Sequence, residues 1–191
     1  MKGELTLEIG SVMIMCMFKC VNEDIKAAKA KDPAAESSLF IYFFYPGVIA
    51  LRRHRRAHKL WKKGFKKWAR YISYRTRKIT GIDIHPGATI GKGVFIDHGM
   101  GVVIGETAVV GDDCLIYQGV TLGASTFAKV DRHPKIGNNV TIFAGASVIG
   151  NIKIGDNSVI YAHSLVTRDA PPNSVLKGIP AHKTIKTEVM D

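Results

Sequence analysis

The sequence predicts an α + β protein: a short N-terminal α-helical domain followed by a parallel β-helix built from hexapeptide repeats. Three observations predict it. Apolar residues recur at helical spacing before Gly81, and aliphatic residues then recur every six positions from Ile84 to Val166. Near Gly81 the composition also turns from long, basic side chains to small ones. The expected units are a helical region over residues 1–80, a β-helix over 81–170 with an excursion loop about 123–135, and a tail over 171–191.

The helical elements follow from local signals. Asp24 to Ala30 reads as a helix that stops near Pro33, because proline disfavours helix in the residue before it. Asp32-Pro33-Ala34-Ala35-Glu36 reads as a new N-terminus, with Asp32 as cap and Pro33 in the first turn. Pro46-Gly47 breaks that helix or starts the next. From Val48 to Ile79 the positions Leu51, Leu60, Trp61, Phe65, Trp68 and Ile72 mark an amphipathic helix with a break at Gly64. Val12 to Phe18 and Leu39 to Leu51 are apolar but short of the roughly 20 residues a membrane-spanning helix needs. Acidic residues precede Val12, unlike a basic signal-peptide start, so both runs read as buried helix faces.

The repeat dictates the second region. Its aliphatic positions are Ile84, Ile90 and Ile96, then Ile104, Val110, Ile116 and Leu122, then Ile136, Ile142, Val148, Ile154, Ile160 and Val166. Small or β-branched residues sit four positions on, as at Ala108, Val120, Val140, Ala146, Ser158 and Ser164. A period of six fits neither a helix nor simple strand alternation. It fits one short strand and one turn per hexapeptide, three to a coil of a triangular prism, with each aliphatic pointing inward. The register breaks twice: two extra residues lie between Ile96 and Ile104, and about eight between Leu122 and Ile136. A packed coil has little room for chemistry, so such departures are where function is expected.

Charge and cysteine content narrow the function classes. The 191 residues carry 27 Lys+Arg against 16 Asp+Glu, a formal net charge of +11, with 46% hydrophobic residues. That balance excludes general disorder. Residues 52–78 hold 13 of the basic residues and no acid, leaving a nearly neutral remainder. This segment alone motivates a competing reading as a binding module for nucleic acid or acidic lipid. A solvated helix face is preferred, with no nucleic acid and no membrane as partner, and Trp61, Phe65 and Trp68 as core or subunit contacts. Cys16, Cys20 and Cys114 form no disulfide framework, which fits a cytoplasmic protein, and all three read as packing residues. His54 and His58 are the sole histidine pair spaced for one metal; they read as surface residues, and no metal is expected.

Both breaks in the repeat carry a histidine beside charge: Asp97-His98 and Asp131-Arg132-His133. Asp83 lies fifteen residues before His98, close to one coil, and would face it across stacked turns. A carboxylate that holds an imidazole makes a general base. The competing structural reading is a turn-capping Asp83 and a loop histidine. Arg132-His133 would clamp a carboxylate, or form a solvated loop charge.

Together these residues resemble bacterial serine O-acetyltransferases. The resemblance rests on Gly81-Ile82-Asp83-Ile84-His85-Pro86-Gly87-Ala88, on the stretch from Phe95 to Thr107 and on Asp131-Arg132-His133-Pro134-Lys135-Ile136-Gly137. Asp32-Pro33-Ala34-Ala35, Tyr45-Pro46-Gly47 and Gly178-Ile179-Pro180-Ala181 extend it over roughly residues 24–182. The resemblance implies a left-handed β-helix and acetyl transfer from acetyl-CoA to L-serine, giving O-acetylserine for cysteine synthesis. By it, His98 is the general base and Asp83 orients it. Asp32 and Asp97 hold the serine ammonium, and Arg132 and His133 hold its carboxylate. Acetyl-CoA lies between neighbouring subunits of a homotrimer near Ala124, Ala144, Gly145 and Ala162, and L-cysteine is a feedback inhibitor at the serine site. Homoserine or another small hydroxyl acceptor is the alternative substrate. Three features depart from the family. Gly123-Ala124-Ser125-Thr126 stands where Gly-Gly-Thr-Gly is usual, and the helical region is shorter than those that join two trimers. The chain also ends Glu188-Val189-Met190-Asp191, without the terminal isoleucine that docks O-acetylserine sulfhydrylase.

Overall fold

The computed structural model describes residues 20–179 and the backbone of residues 181–185. Val12 to Phe18, with Cys16, lie outside the described residues, as do Pro180 and the terminal Glu188-Val189-Met190-Asp191. Helix α1 runs through residues 20–31. Helix α2 (Ser38–Phe44) is capped five residues later than expected, by Ser37 in place of Asp32: the Ser37 hydroxyl accepts the Phe40 N–H at 3.1 Å. Asp32 caps a turn instead, its Oδ1 accepting the Ala34 N–H at 2.8 Å. Tyr45 is extended, as a residue before proline must be, and Pro46 opens helix α3 (Pro46–Lys62). Gly64, at φ +87°, separates α3 from helix α4 (Lys66–Thr80). Gly81 ends α4 in the left-handed region, its N–H donating to the Arg77 carbonyl at 2.8 Å.

The helices seal the first end of the prism. Ile41, Val48 and Phe95 join Val21, Ile25 and Ala28 of α1 in one small core. Gly47 is where α3 meets the first coil: a Cβ there would lie 2.1 Å from the Ile96 carbonyl oxygen. Arg55 links three elements, donating to both Asp24 oxygens at 2.6 and 2.8 Å and to the Gly91 carbonyl at 3.0 Å. The reading of Leu39 to Leu51 as one buried face needs correction. Ile41, Val48, Ala50 and Leu51 are buried, but Leu39, Phe40, Phe43 and Phe44 are 43–69% exposed, because Tyr45-Pro46 splits the run into two helices.

Two-residue strands then wind around three faces. Face one stacks β1 (Asp83–Ile84), β4 (Val103–Ile104), β7 (Thr121–Gly123), β10 (Ser147–Ile149) and β13 (Leu165–Val166). Face two stacks β2 (Thr89–Ile90), β5 (Val109–Val110), β8 (Lys135–Ile136) and β11 (Lys153–Ile154). Face three stacks β3 (Phe95–Ile96), β6 (Leu115–Ile116), β9 (Thr141–Ile142), β12 (Val159–Ile160) and β14 (Ser174–Gly178), closed by antiparallel β15 (Ala181–Ile185). Along face one the partners Asp83↔Val103, Val103↔Thr121, Thr121↔Ser147 and Ser147↔Leu165 step by 20, 18, 26 and 18 residues. Three hexapeptides make 18, so the two breaks are loops leaving an otherwise constant coil. The repeated aliphatics stack in one core, Ile90 half-buried and the others buried. Between faces two and three, Asp113, Asn139, Asn157 and Asn173 turn the chain with φ of 52° to 60°, a backbone their short polar side chains tolerate.

Several side chains differ from expectation. His54 is buried rather than on the surface, since α3 lies flat on the first coil; burial pushes its pKa down to about 3. Phe65 and Trp68 are exposed, and Trp61 stands edge-on to His85 at 4.8 Å with the Lys66 ammonium over its ring, so none of the three is core in this chain. Cys114 is core as expected, and burial pushes its thiol up to about 11.

Candidate active site

The first break forms the turn from face three to face one in the first coil. The Asp97 N–H is held by the Ile116 carbonyl of the coil below, at 2.9 Å. His98 follows at φ 57°, a left-handed conformation that non-glycine residues seldom adopt and that concentrates at functional sites. Its N–H donates to Asp97 Oδ1 at 2.9 Å, its Nε2 lies 3.9 Å from Asp97 Oδ2, and its side chain is 73% exposed. The loop before α2 brings Asp32 to the same place. Asp32 Oδ2 accepts the Tyr45 hydroxyl at 2.6 Å. That bond, then the Ala34 N–H, holds the Asp32 carboxyl below its usual range, and His98 adds to the effect. The same bond pushes the Tyr45 phenol up to about 12. Tyr117, in the next coil, is raised by burial first and by Asp97 second. One carboxylate thus lies against an exposed imidazole and a second within its electrostatic reach, an arrangement suited to a cationic group beside a hydroxyl to be deprotonated.

The second break leaves the turn from face one to face two. Its loop is exposed through residue 131 and returns to a buried His133. Gly105 makes room for that ring: a Cβ there would lie 2.0 Å from His133 Nε2. His133 Nδ1 accepts the Thr107 N–H at 3.2 Å and lies 2.9 Å from Thr107 Oγ1. Burial, then the Arg132 charge, lowers the His133 pKa, and Nδ1, as an acceptor of the Thr107 N–H, carries no proton. Arg132 donates one guanidinium N–H to the Thr126 carbonyl at 3.1 Å, within the loop. The adjoining cleft, about 670 Å³, is walled by Trp61, Lys66, Lys67 and Arg70 of the helices, by His85 and Glu106, and by Arg132 and His133. Its cationic lining suits a carboxylate.

The predicted site residues therefore fall into two groups at opposite edges of face one. Asp32, Asp97 and His98 share one edge; Arg132 and His133 share the other. Asp83 lies on the face between them. The expectation that it meets His98 across stacked turns of one chain is corrected by the register: Asp83 stacks on Val103, and its carboxylate accepts Arg77 Nη1 at 3.2 Å. Ala144, Gly145 and Ala162 lie below His98 on the same column of turns, where Gly119 N–H, Gly145 N–H and His163 N–H each bond a carbonyl one coil away. Ala124 starts the loop at the opposite edge. Among the described residues, no cluster of three or more His, Cys, Asp or Glu is placed to hold a metal ion. Tyr45 and Thr107 escaped sequence reasoning, since each meets its partner only after folding. The Tyr45-Pro46-Gly47 turn was the nearest signal for Tyr45.

Comparison with known proteins bears on this geometry. Residues 133–168 match the bacterial transferase hexapeptide (six repeats) family. The chain is 52% identical over 164 residues to the serine acetyltransferase of Mycobacterium tuberculosis, covering 86% of this chain and 72% of that protein. It superposes on Neisseria gonorrhoeae serine acetyltransferase in complex with serine with a TM-score of 0.84 and 43% identity, covering 88% of this chain and 69% of the other. With Brucella abortus serine acetyltransferase in complex with coenzyme A the TM-score is 0.88 at 39% identity, covering 94% and 73%.

Proposed function

The chain belongs to the serine acetyltransferase family, and from that premise we infer how its own residues perform the reaction. The protein is an acyltransferase of left-handed β-helix fold: it moves the acetyl group of acetyl-CoA to the hydroxyl of L-serine, giving O-acetylserine and CoA. The observation that carries the reading is the His98 turn, where an exposed imidazole lies beside the Asp97 carboxylate and within electrostatic reach of Asp32. His98 takes the proton from the serine hydroxyl as its oxygen attacks the thioester carbonyl. The tetrahedral centre collapses, the carbon–sulfur bond breaks, and the imidazolium returns the proton to the departing thiolate. Asp97 and Asp32 hold the ammonium; Arg132 and the neutral His133 hold the carboxylate. Ala144, Gly145 and Ala162 are small residues beside the column of rings of Tyr117, Phe143 and Tyr161, and let the pantetheine arm approach the backbone of the turns, with Ala124 contributing from the loop.

Because the two groups stand at opposite edges of one face, a single chain does not assemble the whole site. A homotrimer completes it: the edge carrying Asp97 and His98 in one subunit meets the edge carrying Arg132 and His133 in the next. Asp83 lies on the face that a neighbour would cover, so it orients His98 across that boundary. L-Cysteine, which differs from serine by sulfur for oxygen, occupies the same acceptor site as inhibitor. No described helix is long and apolar enough to cross a membrane, and a cytoplasmic setting fits the buried thiol at Cys114.

Thiol release from acetyl-CoA tests this directly, with L-serine, homoserine or no acceptor. Serine should drive release well above the other two. His98→Ala should lower kcat by about 10²–10⁴-fold, the usual worth of a general base. Release no faster with serine than without acceptor overturns the assignment, and full activity in His98→Ala removes the base.

A further inference from the structure

We infer that Thr107 is a positioning residue for the acceptor: it fixes the tautomer of His133 and pins the end of the excursion loop, so that the carboxylate clamp is formed before substrate arrives. The inference rests on the reading of Arg132 and His133 as that clamp. The loop before them is exposed, with Phe127 fully solvated, so its own packing does not set where the chain returns. Thr107 does. Its Oγ1 accepts the backbone N–H of Arg132 at 3.1 Å and of His133 at 3.2 Å, which uses both lone pairs of the hydroxyl.

The backbone N–H of the same residue is then directed at one ring nitrogen. Thr107 N–H donates to His133 Nδ1 at 3.2 Å, and Oγ1 lies 2.9 Å from that atom. A ring nitrogen that accepts an N–H carries no proton, so neutral His133 is protonated on Nε2. Nε2 is the edge packed against Gly105, on the wall of the cleft that both residues line. In this tautomer Nε2–H donates to a substrate carboxylate; in the other, a lone pair would face the anion. Asp131 accepts the Lys135 ammonium at 2.6 Å and is also lowered by a hydrogen bond with Thr107, so the Thr107 N–H is what sets the ring's tautomer; Lys135 also reaches the Thr107 carbonyl.

The test compares Thr107→Val and Thr107→Ser in the full-length chain, by kinetics and by nitrogen-15 NMR of the His133 imidazole. Val matches threonine in shape but offers no hydroxyl. It should raise KM for serine about tenfold or more, leaving buried N–H groups unpaired. KM for acetyl-CoA should stay near wild type, and Ser should restore serine binding. NMR should show the proton on His133 Nε2 in the wild type and in Thr107→Val alike, because the backbone N–H that sets the tautomer remains. Equal losses in Ser and Val, equal rises in both KM values, or a wild-type ring protonated on Nδ1 would each overturn the inference. The NMR readout needs no turnover, so it stands apart from failure of acetyl transfer itself. If Thr107→Val does not fold, the wild-type tautomer and the Ser variant decide the question.

Discussion

At the scale of single residues, local conformation and burial decide which groups are chemically available. His98 stands out because the repeat is interrupted there, and an interruption is visible in one dimension. Tyr45 and Thr107 are not visible that way: Tyr45 reaches Asp32 across 13 residues, and Thr107 reaches His133 across 26. Their roles exist only once the coil has brought them together. His54 shows the same limit from the other side, since its burial depends on α3 lying against the first coil. With a folded pKa of about 3 against 6.5 unperturbed, His54 stays neutral where the unfolded chain would bind a proton. Stability therefore falls as pH drops through that window and is fully present above it. Asp24, raised by burial, acts with the opposite sign in the same range, so the comparison must isolate His54. Between about pH 7 and pH 5, Tm of wild type should fall more steeply than that of His54→Leu, by up to one proton's worth of slope. Parallel curves would contradict the account.

At the scale of elements, the hexapeptide period was legible because each coil repeats one physical demand: an inward aliphatic, a small neighbour and a turn. The ladder steps of 20 and 26 match the two insertions read from the sequence. The helices were legible as a class but not at their edges. Asp32 and Ser37 are both good caps; the choice between them depended on Tyr45, whose hydroxyl takes the other Asp32 oxygen. The exposed side chains Phe40, Phe43 and Phe44 carry no local sign that they lie outside this chain's core. Gly47 is the element-scale contact with the sharpest consequence. Gly47→Ala forces α3 away from the Ile96 carbonyl, an overpacking that costs about 1–3 kcal/mol. For a chain of this size Tm should drop by roughly 2–12 °C. An unchanged Tm would show that α3 is not seated as described.

At the scale of the whole molecule, the net charge of +11 belongs to one helical hairpin and not to the β-helix. Most of those cations face solvent beyond residue 61, and Lys66, Lys67 and Arg70 line the cleft that ends at Arg132 and His133. The division of the site between two edges of one face is the property a linear sequence least reveals, because the motifs themselves lie only a few coils apart. It is also the property on which the proposed mechanism depends. Mixed oligomers test it most directly. His98→Ala subunits and Arg132→Ala, His133→Ala subunits, each inactive alone, are refolded together and assayed for serine-dependent thiol release. A site shared between chains predicts that activity returns, because some boundaries then pair an intact His98 edge with an intact clamp. A site built within one chain predicts none, and mixtures as inactive as their components would contradict the account.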